Sequence, residues 1–66
     1  MDPDVNIREQ IELARAIIAS LDMDLLAMST IQTEIVIERA NSLAELVLAL
    51  DKWIVKGGFL PVRWNV

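Results

Sequence analysis

Apolar residues recur every three or four positions through two long stretches of the chain. This spacing places them on one face of an α-helix, as in helices that pack against a partner helix. In the first stretch the repeat is formed by Ile7, Ile11, Ala14, Ile18, Leu21, Leu25 and Met28. In the second it is formed by Val36, Ala40, Leu43, Val47, Leu50 and Ile54. The pattern predicts one helix that reaches about Leu21 and a second from about 31 to 56.

Residues at the ends of the two stretches predict where the helices begin and end. Asp2 followed by Pro3 is a good helix start, and Asn6 with Glu9 offers a second capping box, so the first helix begins between residues 3 and 7. Gly57 stands where a left-handed residue usually ends a helix, and Pro61 prevents the helix from resuming. Residues 57–66 are therefore predicted to be a C-terminal tail that packs through its aromatic side chains.

The segment 22–30 is open to three interpretations. Asp22 and Asp24 interrupt the first repeat, and either carboxylate suits the N-cap of a new helix. No glycine or proline in the segment enforces a break. A turn, a short third helix and a continuation of the first helix all fit.

The distribution of charge favours an antiparallel pairing of the two helices. Residues 1–24 carry six acidic and two basic side chains, whereas residues 51–66 carry one acidic and three basic ones. A hairpin places these oppositely charged ends side by side. The predicted fold is all-α: a single domain, residues 1–66, built as an antiparallel helical hairpin.

The length and composition indicate self-association. The chain has 66 residues, 55% of them hydrophobic, and it contains neither Cys nor His. A chain this short rarely closes its own core without disulfides, a metal or a partner. We therefore expect a homodimer or higher homo-oligomer that forms a helical bundle. The predicted dimer interface consists of Ile7, Ile11, Ile18, Leu43, Val47, Leu50 and Ile54.

Several classes of function are disfavoured by the same composition. The net charge of −4 argues against a nucleic-acid partner, which requires clustered Lys and Arg. Glu34, Glu38, Glu45 and Asp51 interrupt the apolar runs, so no bilayer span is expected. The acidic start does not resemble a secretory signal, and a cytoplasmic protein is the expectation.

The side chains needed for catalysis are also scarce. Without His or Cys, the serines and threonines lack an activating base, and the Glu34–Glu38 pair lacks the histidine that accompanies glutamates in di-metal bundles. No enzyme activity, metal or cofactor is predicted, and Glu34 and Glu38 are expected to lie on a solvated face.

The C-terminal aromatic residues are the candidates for a binding site. Trp and Arg dominate the energetics of protein interfaces. The predicted partner-binding residues are Trp53, Phe59, Leu60, Arg63 and Trp64. Alternatively, the tail covers the open end of its own bundle, either in the same chain or on a second protomer.

Three functions remain open from the residues alone. The first is a non-enzymatic protein–protein interaction module whose partner is a larger protein. The second is a small-ligand binder or sponge with a pocket between protomers, for which Arg39, Asn41 and Ser42 are the candidate polar groups. The third is a purely structural oligomer.

Sequence blocks at the two ends of the chain carry a resemblance to known sequences. They are Met1-Asp2-Pro3, Ala49-Leu50-Asp51-Lys52-Trp53, Gly57-Gly58-Phe59-Leu60-Pro61 and Trp64. In these blocks the chain resembles short uncharacterised proteins of actinobacteria and their phages. The segment from Leu25 to Ile37 departs from that pattern, being longer and more apolar than their charged linker. The resemblance implies no activity, and it favours a phage or mobile-element accessory protein that acts on a host protein.

Overall fold

The chain folds into two α-helices followed by a short 3₁₀ turn. The structure, a computed structural model, describes residues 1–22 and 29–64. Helix α1 spans Pro3–Leu21, helix α2 spans Thr30–Val55, and the 3₁₀ turn spans Val62–Trp64. The described ranges contain no strand, so the predicted all-α class is confirmed. Asp22 is the C-cap of α1 and Ser29 is the N-cap of α2. The three interpretations of segment 22–30 concern mainly residues 23–28, which lie outside the described residues.

Helix α1 uses the first of its two predicted starts. The Asp2 carboxylate accepts the backbone N–H of Asp4 at 2.9 Å and of Val5 at 3.3 Å, and Pro3 occupies the first turn. These bonds satisfy amides that have no partner within the helix. The alternative box at Asn6 and Glu9 is not the start, because Asn6 already lies inside the helix and its side chain bonds elsewhere.

Helix α2 begins with a capping box that the apolar pattern does not reveal. Ser29 Oγ accepts the backbone N–H of Gln32 at 3.1 Å, and Gln32 Oε1 accepts the backbone N–H of Ser29 at 3.0 Å. This reciprocal pair satisfies two terminal amides at once. Helix α2 therefore begins at Thr30, one residue before the predicted start at about residue 31.

Helix α2 ends in a Schellman motif at the double glycine. Gly57 has a φ of 88°, which confirms the predicted left-handed residue. Its N–H donates to the carbonyl of Ile54 at 3.0 Å, and the N–H of Gly58 donates to that of Trp53 at 2.9 Å. The two bonds satisfy carbonyls of the last turn and reverse the direction of the chain.

The two helices pack against each other as an antiparallel hairpin. Apart from two prolines, Ile7 of α1 and Leu50 of α2 are the most buried apolar side chains of the described residues, with 7% and 4% of their surface exposed. Both belong to the predicted seven-residue repeats. The contact between the repeats is thus made within one chain, near the end where α1 begins and α2 finishes.

A buried amide lies beside this apolar contact. Asn6 is 5% exposed, and its Nδ2 donates to the backbone carbonyl of Leu46 in α2 at 3.0 Å. Its Oδ1 accepts from Gln10 Nε2 at 2.6 Å. Because both polar atoms of the amide are paired, its burial does not leave an unsatisfied group, and the bond fixes the register of α1 on α2.

The hairpin leaves a large apolar surface uncovered. The chain exposes 5060 Å², whereas a folded monomer of 7.4 kDa is expected to expose about 4,200 Å². Ile37, Leu48 and Val55 on α2 are 62%, 65% and 77% exposed. Together with the exposed Ala44 they form what we call the outer stripe. Neither helix is long and apolar enough to cross a bilayer within the described ranges.

We predict that Asn6→Ala lowers the free energy of unfolding by roughly 1–3 kcal/mol, because it removes the partly buried hydrogen bond between the Asn6 amide and the carbonyl of Leu46. Chemical denaturation followed by circular dichroism measures the change. Asn41→Ala is the matched control, since Asn41 is exposed and lies inside α2. Alanine is the better helix former there, so stability is expected not to fall. Equal losses in both variants would contradict the role of Asn6.

Candidate interaction site

The last turn of α2 holds the start of the tail through Trp53. The indole Nε1–H of Trp53 donates to the carbonyl of Phe59 at 3.0 Å. The rings of Trp53 and Phe59 meet edge to face, with centroids 5.4 Å apart and an interplanar angle of 89°. This is a favourable geometry for an aromatic pair. It ties residue 59 to the helix that precedes it.

Gly58 allows this closure because it has no side chain. A Cβ at Gly58 would overlap the five-membered ring of the Trp53 indole, whereas a Cβ at Gly57 would meet open space. The two glycines therefore act differently. Gly57 supplies the left-handed backbone, and Gly58 supplies the room for the indole.

The rest of the tail folds back onto the start of α1. The backbone N–H of Arg63 donates to the Asp4 carboxylate at 3.3 Å, and Pro3 and Pro61 are the largest fully buried side chains. The 3₁₀ turn is closed by the N–H of Trp64, which donates to the carbonyl of Pro61 at 3.0 Å. In the structure the tail lies against its own chain.

This anchored tail exposes four large apolar side chains to solvent. Phe59, Leu60, Val62 and Trp64 are 61%, 57%, 72% and 49% exposed, and we call these four residues the tail patch. A groove of about 410 Å³ runs along Leu60, Pro61, Val62 and Trp64. Three of the predicted partner-binding residues belong to the patch, namely Phe59, Leu60 and Trp64. Val62 was not predicted, although its place between them in the sequence is the signal for it.

The other two predicted partner-binding residues have different surroundings. Trp53 is half-buried, and it supports Phe59 more than it faces solvent. Arg63 is exposed at the edge of the tail patch, and its backbone amide is the group that contacts α1. Trp53 thus holds Phe59 of the tail patch in position. Arg63 adds a positive charge at the edge of the patch.

A second groove connects the tail to the hairpin. It has a volume of about 240 Å³ and is lined by Gln10, Val47, Leu50, Asp51, Ile54 and Trp64. Trp64 therefore borders a groove that residues of both helices line, and about half of its own surface is covered. The volume is below the usual range for small-molecule sites, about 300–1,000 Å³.

The predicted dimer-interface residues fall into three groups. Ile7 and Leu50 lie in the interior of the single hairpin, so its own helices already cover them. Ile11, Leu43 and Ile54 are half-buried. Ile18 and Val47 are 61% and 46% exposed, and they are the members of the set that a second chain can reach most fully.

The polar candidates for a small-ligand site do not converge. Arg39 is half-buried, whereas Asn41 and Ser42 are exposed. With 3.6 residues per turn, Asn41 points roughly 160° away from Arg39 and 100° away from Ser42. Asn41 Nδ2 instead donates to Glu45 Oε1 at 3.4 Å, a long hydrogen bond on the surface of α2.

The acidic side chains of the described ranges do not form a metal site. Glu34 and Glu38 are exposed on α2, and no cluster of three potential ligands occurs in residues 1–22 and 29–64.

Comparison with known proteins brings no match: no family model fits the chain, and no curated protein or solved structure is significantly similar to it.

We predict that Gly58→Ala destabilises the protein through the Trp53 indole. In the unmodified background the loss should be roughly 2 kcal/mol, because the indole must leave its position and give up the bond to Phe59. In a Trp53→Ala background the same substitution should cost much less, which gives a coupling of roughly 1–2 kcal/mol in a double-mutant cycle measured by denaturation.

Gly57→Ala is the matched control for this cycle. Its cost, roughly 1 kcal/mol, comes from the left-handed backbone and should be the same with or without the indole. If Gly58→Ala were equally costly in both backgrounds, the contact with Trp53 would not be its cause.

Proposed function

We propose that this chain is a non-enzymatic protein–protein interaction module whose tail patch binds a larger protein. The observation that carries the proposal is the exposure of four large apolar side chains, Phe59, Leu60, Val62 and Trp64, on a tail that is hydrogen-bonded to the helices at residues 59 and 63. Large apolar residues grouped on a monomer surface are typical of interaction sites.

The anchoring of the tail supports a preorganised surface. Trp53 holds residue 59, and Asp4 holds residue 63, so the residues between them are fixed before a partner arrives. A segment that is already ordered loses less conformational entropy on binding. Trp64 and Phe59 also supply large rigid contact areas of the kind found at interface hot spots.

The charges around the tail patch indicate the kind of partner that fits. Arg63 lies within the tail, Lys52 is exposed on the last turn of α2, and Lys56 is exposed at the C-cap of that helix. An apolar pocket with acidic residues at its rim would complement this arrangement. The resemblance to short actinobacterial and phage proteins supports a host protein as the owner of that pocket.

The absence of catalysis is part of the same proposal. The full sequence has no His and no Cys, the residues that most often act as base or nucleophile in proteins. Three of its hydroxyl side chains make hydrogen bonds within their own helices. Ser29 caps α2, Thr33 Oγ1 donates to the carbonyl of Ser29, and Ser20 Oγ donates to the carbonyl of Ala16. Binding is the activity that this surface supports.

We further propose that the chain self-associates. The exposed area exceeds that expected of a monomer of this mass by roughly a fifth. The chain exposes two separate apolar surfaces, and we assign a different partner to each. The tail patch binds a larger protein, and the outer stripe of α2 binds another copy of the chain.

We predict that Phe59→Ala and Trp64→Ala each weaken capture of the partner at least tenfold, since truncation of a hot-spot aromatic costs roughly 2 kcal/mol or more. A photo-crosslinking residue at position 60 identifies the partner in a host lysate, and titration of the purified pair then measures the dissociation constant. Ile31→Ala is the matched control, because Ile31 is 69% exposed at the opposite end of α2.

The control variant should bind as tightly as the unmodified protein. Two results would contradict the tail patch as the binding surface. One is equal affinity of the Phe59→Ala and Trp64→Ala variants, and the other is equal crosslinking yield from positions 31 and 60.

A further inference from the structure

The outer stripe has the spacing of a coiled-coil seam. Its members, Ile37, Ala44, Leu48 and Val55, are separated by seven, four and seven residues. These intervals belong to a heptad register in which apolar residues alternate three and four positions apart. Asn41 and Asp51 occupy the two remaining seam positions between residues 37 and 55. Every member of the register is exposed in the single chain.

The stripe lies away from the face that α1 covers. Ile37 and Val55 are roughly 140° around α2 from the buried Leu50. A further helix can therefore pack on the stripe without displacing α1. The stripe is also long, since Ile37 and Val55 are separated by about 27 Å along the helix axis.

The charges beside the stripe are divided along its length. Glu38 and Glu45 flank its first half, and Lys52 flanks its second half, all on the same side of the stripe and all exposed. A second α2 helix that runs in the opposite direction would place its own lysine beside Glu38 and its own first glutamate beside Lys52. The charges at both ends of the row would then be paired with opposite charges. Charges in these flanking positions set orientation and partner choice in coiled coils.

We propose that a second copy of this chain docks antiparallel on the outer stripe. In this register Ile37 of each copy packs against Val55 of the other, and Ala44 packs against Leu48. Glu38 of each copy meets Lys52 of the other, and Asn41 lies opposite Asp51. Each contact occurs twice, as a two-fold interface requires. The inference rests on the proposed self-association and specifies its geometry.

The parallel alternative is disfavoured by the same residues. In register, it would place Asp51 against Asp51 at a seam position, where two carboxylates would be partly desolvated. It would also leave Glu38 far from Lys52. The antiparallel register has one unfavourable pair, Glu45 against Glu45 at the two-fold axis, which is exposed and screened by salt.

The first test compares glutamate substitutions on and off the stripe. Sedimentation equilibrium over a dilution series measures the dimer dissociation constant. Leu48→Glu and Ile37→Glu should each raise it about a hundredfold, because two unpaired charges enter the interface. Ile18→Glu is the matched control, since Ile18 is 61% exposed on α1 and Ile37 is 62% exposed on α2. Circular dichroism confirms that each variant keeps its helices.

The second test is a charge swap. Glu38→Lys and Lys52→Glu should each weaken the dimer about tenfold, because each creates two repulsive pairs. The double variant should return to within roughly threefold of the unmodified protein, since each variant pair is again attractive. Within one helix these two positions are about 21 Å apart, well beyond the Debye length of about 8 Å, so rescue reports contact between chains. Glu45→Gln should tighten the dimer roughly threefold.

The outcomes separate the register from self-association itself. A chain that stays monomeric up to millimolar concentration would overturn both. A dimer that tolerates Leu48→Glu and is lost with Ile18→Glu would overturn the register and leave self-association in place. A charge swap whose effects simply add, without rescue, would overturn the antiparallel orientation. None of these results bears on the tail patch, which is tested through Phe59 and Trp64.

Discussion

A helix in a two-helix hairpin can bury only one side, and α2 is apolar on more than one. Leu50 and its neighbours in the repeat take the side that faces α1, while Ile37, Leu48 and Val55 remain largely exposed. This geometric constraint explains why so hydrophobic a chain has so small an interior. It also explains why specificity within the hairpin comes from a polar contact. The amide of Asn6, bonded to the carbonyl of Leu46, admits one register of α1 on α2 where apolar side chains alone would tolerate several.

The tail depends on two neighbouring residues that serve different purposes. Gly57 lets the chain turn out of α2, and Gly58 leaves space for the indole of Trp53. Trp53 then bonds the carbonyl of Phe59, so a residue of the helix determines where the tail starts. At residue 63 the backbone N–H of the tail donates to the Asp4 carboxylate. The apolar side chains between these two points are consequently displayed on a supported loop, and the same bonds that order the tail also keep its aromatic residues at the surface.

Much of this arrangement follows from the sequence, for local reasons. Asp2-Pro3 and Gly57 are short-range signals, and they predict the start of α1 and the end of α2 because capping involves only neighbouring residues. The local pattern offers Asn6 only as an alternative cap with Glu9, whereas its partner in the structure, the carbonyl of Leu46, is forty positions away and beyond the reach of local patterns. The outer stripe is difficult to recognise in the sequence for another reason: a second apolar repeat at the same spacing, through Ile37 and Leu48, lies in a helix that is apolar on more than one side. Which of two repeats faces inward depends on where α1 lies.

The bond between Arg63 and Asp4 brings the two ends of the described chain together across 59 positions of sequence. One practical effect concerns how the protein is handled. A bulky fluorescent label attached to a side chain close to the Asp4–Arg63 bond would therefore lie beside the tail patch and would hinder a partner from reaching Phe59 and Trp64. Binding assays with such a label would then measure the attachment as much as the protein. A small dye on a surface residue of α1 such as Arg15 leaves that end of the molecule open.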